Sequence, residues 1–180
     1  MSRKMIAVVN GYPLAGKDTV VEMLSRHLFN LGWYTDSISS VEAVKEITRH
    51  TGIPDEPKTP EKRALWAEIK AAYEKYDRYL TRGMMRHVHS VLESHPQNSI
   101  FFIHVREPES IQFIYDILEP GIEWLTIFVD RPDAERVTSN AADMGVENYV
   151  YLVRIENAGS LENLQGACDQ FANLIHEGNP

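Results

Sequence analysis

The sequence of 180 residues suits one domain with a sizeable hydrophobic core, and nothing in its length requires a second domain. Its composition is ordinary for a globular protein, and its longest apolar runs, such as Ile100–Ile103, are far too short to span a membrane. The formal net charge of −8 argues against general nucleic-acid binding, which normally requires a basic face, but it permits a small phosphorylated ligand held by a local cluster of donors.

The sequence begins with the pattern of a strand, a helix and a second strand. The N-terminus has no apolar segment as long as that of an export signal, and Met5–Val9 is typical of a short buried strand. Apolar side chains recur at helical spacing over 17–31, where Gly32 ends the run. Residues 33–38 are rich in β-forming side chains, so we predict a second strand there.

The region 40–95 is predicted to be largely helical. Ser39 and Glu42 have the spacing of a capping box, which predicts a helix as far as about His50. A proline-rich loop follows this helix. A simple crossover between two strands needs far fewer residues, so we expect the extra helices to cover a substrate.

A second helical stretch fills the rest of this region. Thr59 and Pro60 are typical of its start, one apolar stripe continues to about Pro96, and a kink is expected near Gly83. Its charged positions have the pattern of a solvated face, namely Glu61, Lys62, Glu68, Lys70, Glu74 and Lys75. Other side chains here suit an acceptor site, because bases stack on aromatic rings and phosphates pair with cations: Lys45, Arg63, Trp66, Tyr73, Tyr76, Asp77, Tyr79 and Arg82.

The second half of the sequence alternates strands with helices. The predicted elements are a strand at 99–105, a helix at 108–118, a strand at 124–129, a helix at 133–144, a strand at 149–155 and a helix at 160–176. Cys168 falls among the apolar positions of the last helix. As the single cysteine it can form no intrachain disulfide, so a cytoplasmic location is expected. The alternation predicts an α/β fold with a five-stranded parallel sheet covered on both faces.

Residues 10–19, NGYPLAGKDT, nearly match the phosphate-binding pattern G-x-x-x-x-G-K-[ST]. In such a loop glycines let backbone N–H groups turn toward phosphate oxygens, and the lysine reaches the β- and γ-phosphates. The motif lies between the first strand and an amphipathic helix, the context in which it has a mechanism. We therefore predict a nucleotide site formed by Gly11, Tyr12, Pro13, Leu14, Ala15, Gly16, Lys17, Asp18 and Thr19.

Asp18 departs from the pattern, because a carboxylate stands where a magnesium-binding hydroxyl is expected. An acid in the first helical turn complements the helix dipole, and a carboxylate is also a hard oxygen ligand for Mg²⁺. It would alternatively repel phosphates and mark a lost site. We predict a magnesium ligand, and Thr19, one place later, still offers a hydroxyl to a phosphate.

Arg106 and Arg131 follow the third and fourth predicted strands. Ligands of open α/β sheets bind at the carboxyl ends of the strands, where the phosphate loop also lies. Phosphoryl transfer depends on cations around the developing charge, so these arginines are candidate catalytic residues. The alternative is that they are surface arginines paired with carboxylates.

The segment GKDT at 16–19 resembles the phosphate loop of phage-type deoxynucleoside monophosphate kinases, and GKD also occurs in animal-type phosphomevalonate kinases. Three further segments are similar to this group in the same order: SSVEAVKEI at 39–47, VREPESI at 105–111 and IENAGSLENL at 155–164. These families and dephospho-coenzyme A kinase are P-loop small-molecule kinases. The resemblance implies one P-loop NTPase domain over 1–180, a three-layer α/β/α sandwich with a helical acceptor-binding insertion at about 40–95 and a short lid at about 131–145.

The resemblance also implies roles for individual residues. Lys17, Arg106 and Arg131 would act on the transferred phosphoryl group, Arg136 would be a lid arginine, and Asn157 with Gly159 would line an adenine pocket. Arg106 would also hold the phosphate of the acceptor, with Lys45 and Arg63 as further acceptor ligands.

The implied activity is transfer of a phosphoryl group from ATP, with Mg²⁺, to a (deoxy)nucleoside monophosphate. Phosphomevalonate, dephospho-coenzyme A or a free nucleoside remain alternative acceptors. A protein that binds nucleotides without turnover is also open, because His104 stands where the related kinases have an aspartate. The expected partners are small nucleotide substrates, with no nucleic acid and no membrane, and assembly as a homodimer stays open.

Overall fold

The computed structural model describes residues 2–132 and 145–180, so the predicted helix at 133–144 and Arg136 lie outside the described residues. The described elements are β1 (Lys4–Asn10), α1 (Lys17–Asn30), β2 (Tyr34–Ser39), α2 (Glu42–His50), α3 (Pro60–Lys75), α4 (Tyr79–Ser94), β3 (Ser99–His104), α5 (Pro108–Asp116), β4 (Ile122–Asp130), β5 (Val153–Glu156) and α6 (Leu161–Glu177). Within these ranges, no helix has the length and apolar character needed to cross a membrane.

The five strands form one parallel sheet in the order β2-β3-β1-β4-β5. β1 is central, and Val9 is paired with His104 on one side and with Ile127 on the other. Because parallel strands run in one direction, β1, β3 and β4 end at the same edge of the sheet, where the phosphate loop begins. The predicted five-stranded parallel α/β fold is confirmed.

Helices cover both faces of the sheet, and the side-chain alternation of β1 shows how. Met5, Ala7 and Val9 pack with α1 and α6 in one core, whereas Ile6 and Val8 pack with α4 and α5 in the other. A strand that is buried on both faces has a continuous apolar sequence, as residues 5–9, MIAVV, do. The result is the predicted three-layer α/β/α arrangement.

Helices α2, α3 and α4 connect β2 to β3 and share a small core of their own. Val44, Trp66 and Leu80 are its buried members, and the indole N–H of Trp66 donates a 3.0 Å hydrogen bond to the hydroxyl of Thr48. The capping box predicted for α2 is absent. The N-cap is Val41 without a side-chain cap, because the Glu42 carboxylate instead pairs with Lys45 and Arg49 on its own helix.

The long helical stretch is interrupted between α3 and α4, not kinked at Gly83, which lies inside α4. Asp77 and Arg78 adopt left-handed φ angles of 56° and 51°, which ends α3. Glu74 makes the new start possible: its carboxylate accepts 2.9 Å hydrogen bonds from both the backbone N–H and the hydroxyl of Thr81, in the first turn of α4. The side chain of Glu74 is only 10% exposed, so its assignment to the solvated face was wrong.

Replacing Glu74 with alanine should lower the free energy of unfolding by about 1–2 kcal/mol, because the first turn of α4 loses its cap. Glu68→Ala removes an exposed carboxylate from the same helix and should change stability by less than about 0.5 kcal/mol. Urea unfolding followed by circular dichroism compares the two variants. Equal losses would show that Glu74 does not cap α4.

Candidate nucleotide-binding site

The loop between β1 and α1 depends on two glycines. Gly11 has φ 145° and Gly16 has φ 91°, both in the region that disfavours other residues. A Cβ atom on Gly11 would lie 2.3 Å from the carbonyl oxygen of Val129, and one on Gly16 would lie 2.5 Å from the amide nitrogen of Asn157. A side chain at position 11 would therefore meet the backbone of β4, whereas one at position 16 would require the side chain of Asn157 to move.

Lys17 is the first residue of α1, and its side chain turns back into this loop. The ammonium donates hydrogen bonds of 2.7 Å to the carbonyl oxygen of Gly11 and 2.8 Å to that of Tyr12. The N-terminus of α1 adds backbone N–H groups that have no acceptor within the helix itself, together with the positive end of the helix dipole. A cation beside a helix N-terminus is suited to binding the phosphates of a nucleotide.

Residues from the ends of β4 and β5 contact the same loop. The side-chain amide of Asn157 donates a 2.9 Å hydrogen bond to the carbonyl oxygen of Ala15, and the guanidinium of Arg131 donates to that of Leu14 at 3.4 Å. Gly159 lies two residues beyond Asn157, with φ 84°. Arg131, at the end of β4, and Asn157, after β5, thus both lie against the loop between β1 and α1.

The two ends of the predicted lid also lie at the loop. Arg131 stands at one end, and at the other the hydroxyl of Tyr12 donates to the carboxylate of Glu147. Tyr151 donates to the carbonyl oxygen of Val146 at 2.6 Å, and burial raises the pKa of its phenol, so it stays protonated. Residues 146–148 form a 3-10 turn, and β5 begins at Val153, four residues later than predicted.

Asn10, which sequence reasoning did not single out, joins three parts of the site. Its buried amide donates to the carbonyl oxygen of Arg106 at 3.0 Å and to the hydroxyl of Tyr151 at 2.7 Å, and its oxygen accepts from the N–H of Gly11 at 2.8 Å. A polar residue at the end of an otherwise apolar strand was the signal for it. Asn10 fixes the backbone at Arg106 relative to the phosphate loop.

Asp18 and His104 lie side by side at this edge. The Asp18 side chain is 99% exposed, and its Oδ1 is 3.7 Å from Nδ1 of the largely buried His104. Burial lowers the pKa of His104, the positive charges of Lys17 and Arg106 lower it further, and Asp18 opposes them. The imidazole is therefore neutral at pH 7, at the position where the kinases that the sequence resembles have an aspartate.

The donor set fits a magnesium ion that arrives with a nucleotide. Mg²⁺ is usually held by one or two carboxylates together with substrate phosphates and waters, and the exposed carboxylate of Asp18 next to Lys17 is a suitable ligand. In residues 2–132 and 145–180, no three His, Cys, Asp or Glu side chains come together to hold a metal ion by themselves.

Two of the predicted acceptor residues, Lys45 and Arg63, lie on helices α2 and α3 of the insertion. Lys45 pairs with Glu42 at 3.0 Å and sits 5.9 Å from the ring centroid of Trp66, whereas Arg63 is exposed on α3. A groove of about 680 Å³ is lined by three predicted acceptor tyrosines, by residues of α2 and by two residues outside α2. The lining residues are Ala43, Glu46, Ile47, His50, Thr51, Tyr73, Tyr76, Tyr79 and Leu80. The structure does not bring Lys45 or Arg63 into hydrogen-bonding contact with the loop in the part that it describes.

A buried ion pair links the insertion to the same edge of the sheet. The ammonium of Lys70 lies 2.8 Å from both carboxylate oxygens of Glu107 and 2.9 Å from the hydroxyl of Ser40. Burial alone would raise the pKa of Glu107, but Lys70 outweighs burial and holds that pKa below its usual range. Lys70 is buried, so its assignment to the solvated face of α3 was wrong.

Comparison with known proteins supports the fold. No protein-family model and no curated protein matches the chain. Among solved structures, the chain is similar to APE1195, with 15% identity, a TM-score of 0.53, and coverage of 98% of this chain and 97% of that one.

Two named kinases are also among the similar structures. One is the APS kinase CysC of Mycobacterium tuberculosis in complex with AMPPNP and APS, at 14% identity, a TM-score of 0.46, and 98% coverage of both chains. The other is a gluconokinase from Sinorhizobium meliloti 1021, at 14% identity, a TM-score of 0.42, and full coverage of both chains. At these identities the likeness concerns the fold alone, and the likeness to APE1195 agrees with the α/β/α sandwich described above.

Proposed function

We propose that the protein transfers the γ-phosphoryl group of ATP to a small phosphorylated acceptor, namely a (deoxy)nucleoside monophosphate. The observation that carries this proposal is the loop after β1. Gly11 and Gly16 hold conformations that favour glycine, and the ammonium of Lys17 lies inside the loop at a helix N-terminus. A site of this geometry binds phosphates, and the resemblance of GKDT to monophosphate kinases supports the acceptor class.

Each residue of the site has a role in this chemistry. Lys17 and the loop N–H groups stabilise the phosphoryl group in the transition state of its transfer, and Thr19 contacts a phosphate. Arg106 and Arg131 neutralise the negative charge that develops on the phosphate oxygens. Asp18 would hold Mg²⁺, which would supply positive charge that offsets the charge of the phosphates. A phosphate acceptor is already a nucleophile, so positioning dominates the rate and no strong base is required.

The remaining predictions complete the proposal. Arg136 would act from the lid, and Asn157 with Gly159 would line the adenine pocket. Lys45 and Arg63 would help to bind the acceptor. A cytoplasmic location and a homodimer stay predictions.

The direct test is ADP release from Mg-ATP with each of a panel of ribo- and deoxyribonucleoside monophosphates. The panel also contains the free nucleosides, phosphomevalonate and dephospho-coenzyme A, and Lys17→Ala serves as the inactive control. A rate that rises with a nucleoside monophosphate and disappears in Lys17→Ala would support the proposal. ADP release that depends on another acceptor of the panel would support kinase activity but would show that the proposed class of acceptor is wrong.

A protein that binds nucleotides without turnover is the second candidate, and the neutral His104 next to Asp18 favours it. Isothermal titration of ATP with and without Mg²⁺ separates the two candidates. Magnesium-dependent binding without release of ADP in the presence of any acceptor of the panel would support the second candidate.

Arg106→Gln is expected to raise the KM for the acceptor about 10- to 100-fold, because one charge-assisted hydrogen bond to its phosphate is lost. The KM for ATP should change less than about threefold. Arg26→Gln removes an exposed arginine from α1, where it pairs with Glu22, and should leave both constants unchanged. Steady-state kinetics measure these effects, and a selective rise in the KM for ATP would assign Arg106 to the donor.

A further inference from the structure

Lys70, Glu107 and Ser40 come from three different segments of the chain. Lys70 is in the middle of α3, Glu107 precedes α5, and Ser40 lies between β2 and α2. They meet at the carboxyl edge of the sheet, and the distances from the Lys70 ammonium are 2.8 Å to each oxygen of Glu107 and 2.9 Å to the hydroxyl of Ser40.

Lys70 is buried, Glu107 is largely shielded from solvent, and the hydrogen bonds of the Lys70 ammonium are satisfied. The Lys70 side chain is 11% exposed and that of Glu107 is 25% exposed, so solvent screens this pair far less than a surface pair. An ammonium has three N–H donors, and these three contacts engage all of them. Removing either charge leaves the other without its partner in a buried place, which is strongly unfavourable.

The cluster is continuous with the phosphate loop. Glu107 directly follows Arg106, whose carbonyl oxygen accepts a 3.0 Å hydrogen bond from Asn10, and the Asn10 oxygen in turn accepts from the N–H of Gly11. On the other side, Lys70 lies one helical turn from Trp66, the centre of the small core of the insertion. Among the described side chains, this ion pair links α3 directly to the segment that carries Arg106.

We propose that Lys70 is a positioning residue for the acceptor: through Glu107 and Ser40 it fixes the insertion against the Arg106 segment. An acceptor site of this kind has two parts: ligands for the phosphate after β3, and side chains of the insertion. The ion pair then keeps these two parts at fixed positions relative to each other. This proposal rests on the proposed function for its kinetic consequence, but its structural part can be measured without any activity.

The kinetic test uses Lys70→Met, Glu107→Gln and Lys70→Arg. Because misplaced ligands weaken a binding site even when they are intact, Lys70→Met and Glu107→Gln should each raise the KM for the acceptor about 10- to 100-fold. The KM for ATP should stay within about twofold in both variants. Lys70→Arg keeps the charge and should recover most of the acceptor affinity. Lys75→Met removes an exposed lysine from the same helix and should behave as the unchanged protein.

The structural test is hydrogen exchange measured by mass spectrometry on the full chain. Lys70→Met should speed exchange in α2 and α3, with α1 and α6 unchanged, whereas Lys75→Met should alter neither region. Faster exchange in all helices, or in none, would overturn the proposal, as would a loss of kcat with both KM values unchanged. If no acceptor is phosphorylated but Lys70→Met speeds hydrogen exchange selectively in α2 and α3, the proposed function fails. The structural part of this proposal, that Lys70 fixes the insertion against the Arg106 segment, then stands.

Discussion

Replacing Lys17 with alanine is expected to reduce phosphoryl transfer by at least about 10²- to 10³-fold, the effect of removing one preorganised donor from a developing negative charge. In the structure the ammonium is already inside the loop, held by the carbonyl oxygens of Gly11 and Tyr12. A bound γ-phosphate would have to replace these two carbonyl acceptors. The measurement is the rate of ADP release with saturating acceptor.

The control for Lys17→Ala must separate chemistry from folding. Lys75→Met removes the same charge from an exposed position on α3 and should retain the full rate. Thermal unfolding of Lys17→Ala should stay within a few degrees of the unchanged protein, because the lysine is not part of either core. A variant that is folded and fully active would rule out the phosphate loop as the donor site.

The Gly11→Ala variant is expected to lose nucleotide binding and to be clearly less stable. Its Cβ would lie 2.3 Å from the carbonyl oxygen of Val129, a backbone atom that cannot move without disturbing β4, and φ 145° is itself strained for alanine. The backbone strain alone costs about 1–3 kcal/mol, and relief of the clash displaces the loop from its phosphate-binding conformation. Urea unfolding and titration with ATP measure the two effects.

Gly166→Ala provides the matched comparison. Gly166 lies inside α6, and a Cβ added there meets no atom within 4 Å. Alanine is the better helix former, so this variant should gain about 0.5–1 kcal/mol and bind ATP normally. If Gly11→Ala bound ATP as well as Gly166→Ala does, the close packing of the loop against β4 would be irrelevant to the nucleotide.

Local patterns predicted the fold because they act at short range. The apolar strand MIAVV, the helix after Lys17 and the loop between them are each specified by neighbouring residues, and the parallel sheet follows from their alternation. The need for Gly11 and Gly16 was equally local, since the spacing of the two glycines and Lys17 is a property of one short segment. These predictions agree with the described structure.

Predictions failed where a side chain had several partners within reach. Ser39 and Glu42 have the spacing of a capping box, but Glu42 pairs with Lys45 and Arg49, two cations on its own helix that sequence spacing also permits. The interruption after α3 was misplaced because glycine is a common break signal. The structure instead uses two left-handed non-glycine residues together with the cap supplied by Glu74.

The sequence by itself determined the alternation of strands and helices, the glycine-containing loop between β1 and α1, and the position of Arg131 at the edge of the sheet where this loop lies, because these depend on periodicity and on a contiguous motif. Only the tertiary structure decided the burial of Lys70, its pairing with Glu107 and the role of Asn10. Lys70 and Glu107 are 37 residues apart, and Asn10 and Arg106 are 96 apart. The residues next to a charged or polar side chain in the sequence do not show whether it faces water or a partner far away in the chain. The packing of the insertion on the sheet decides this for Lys70.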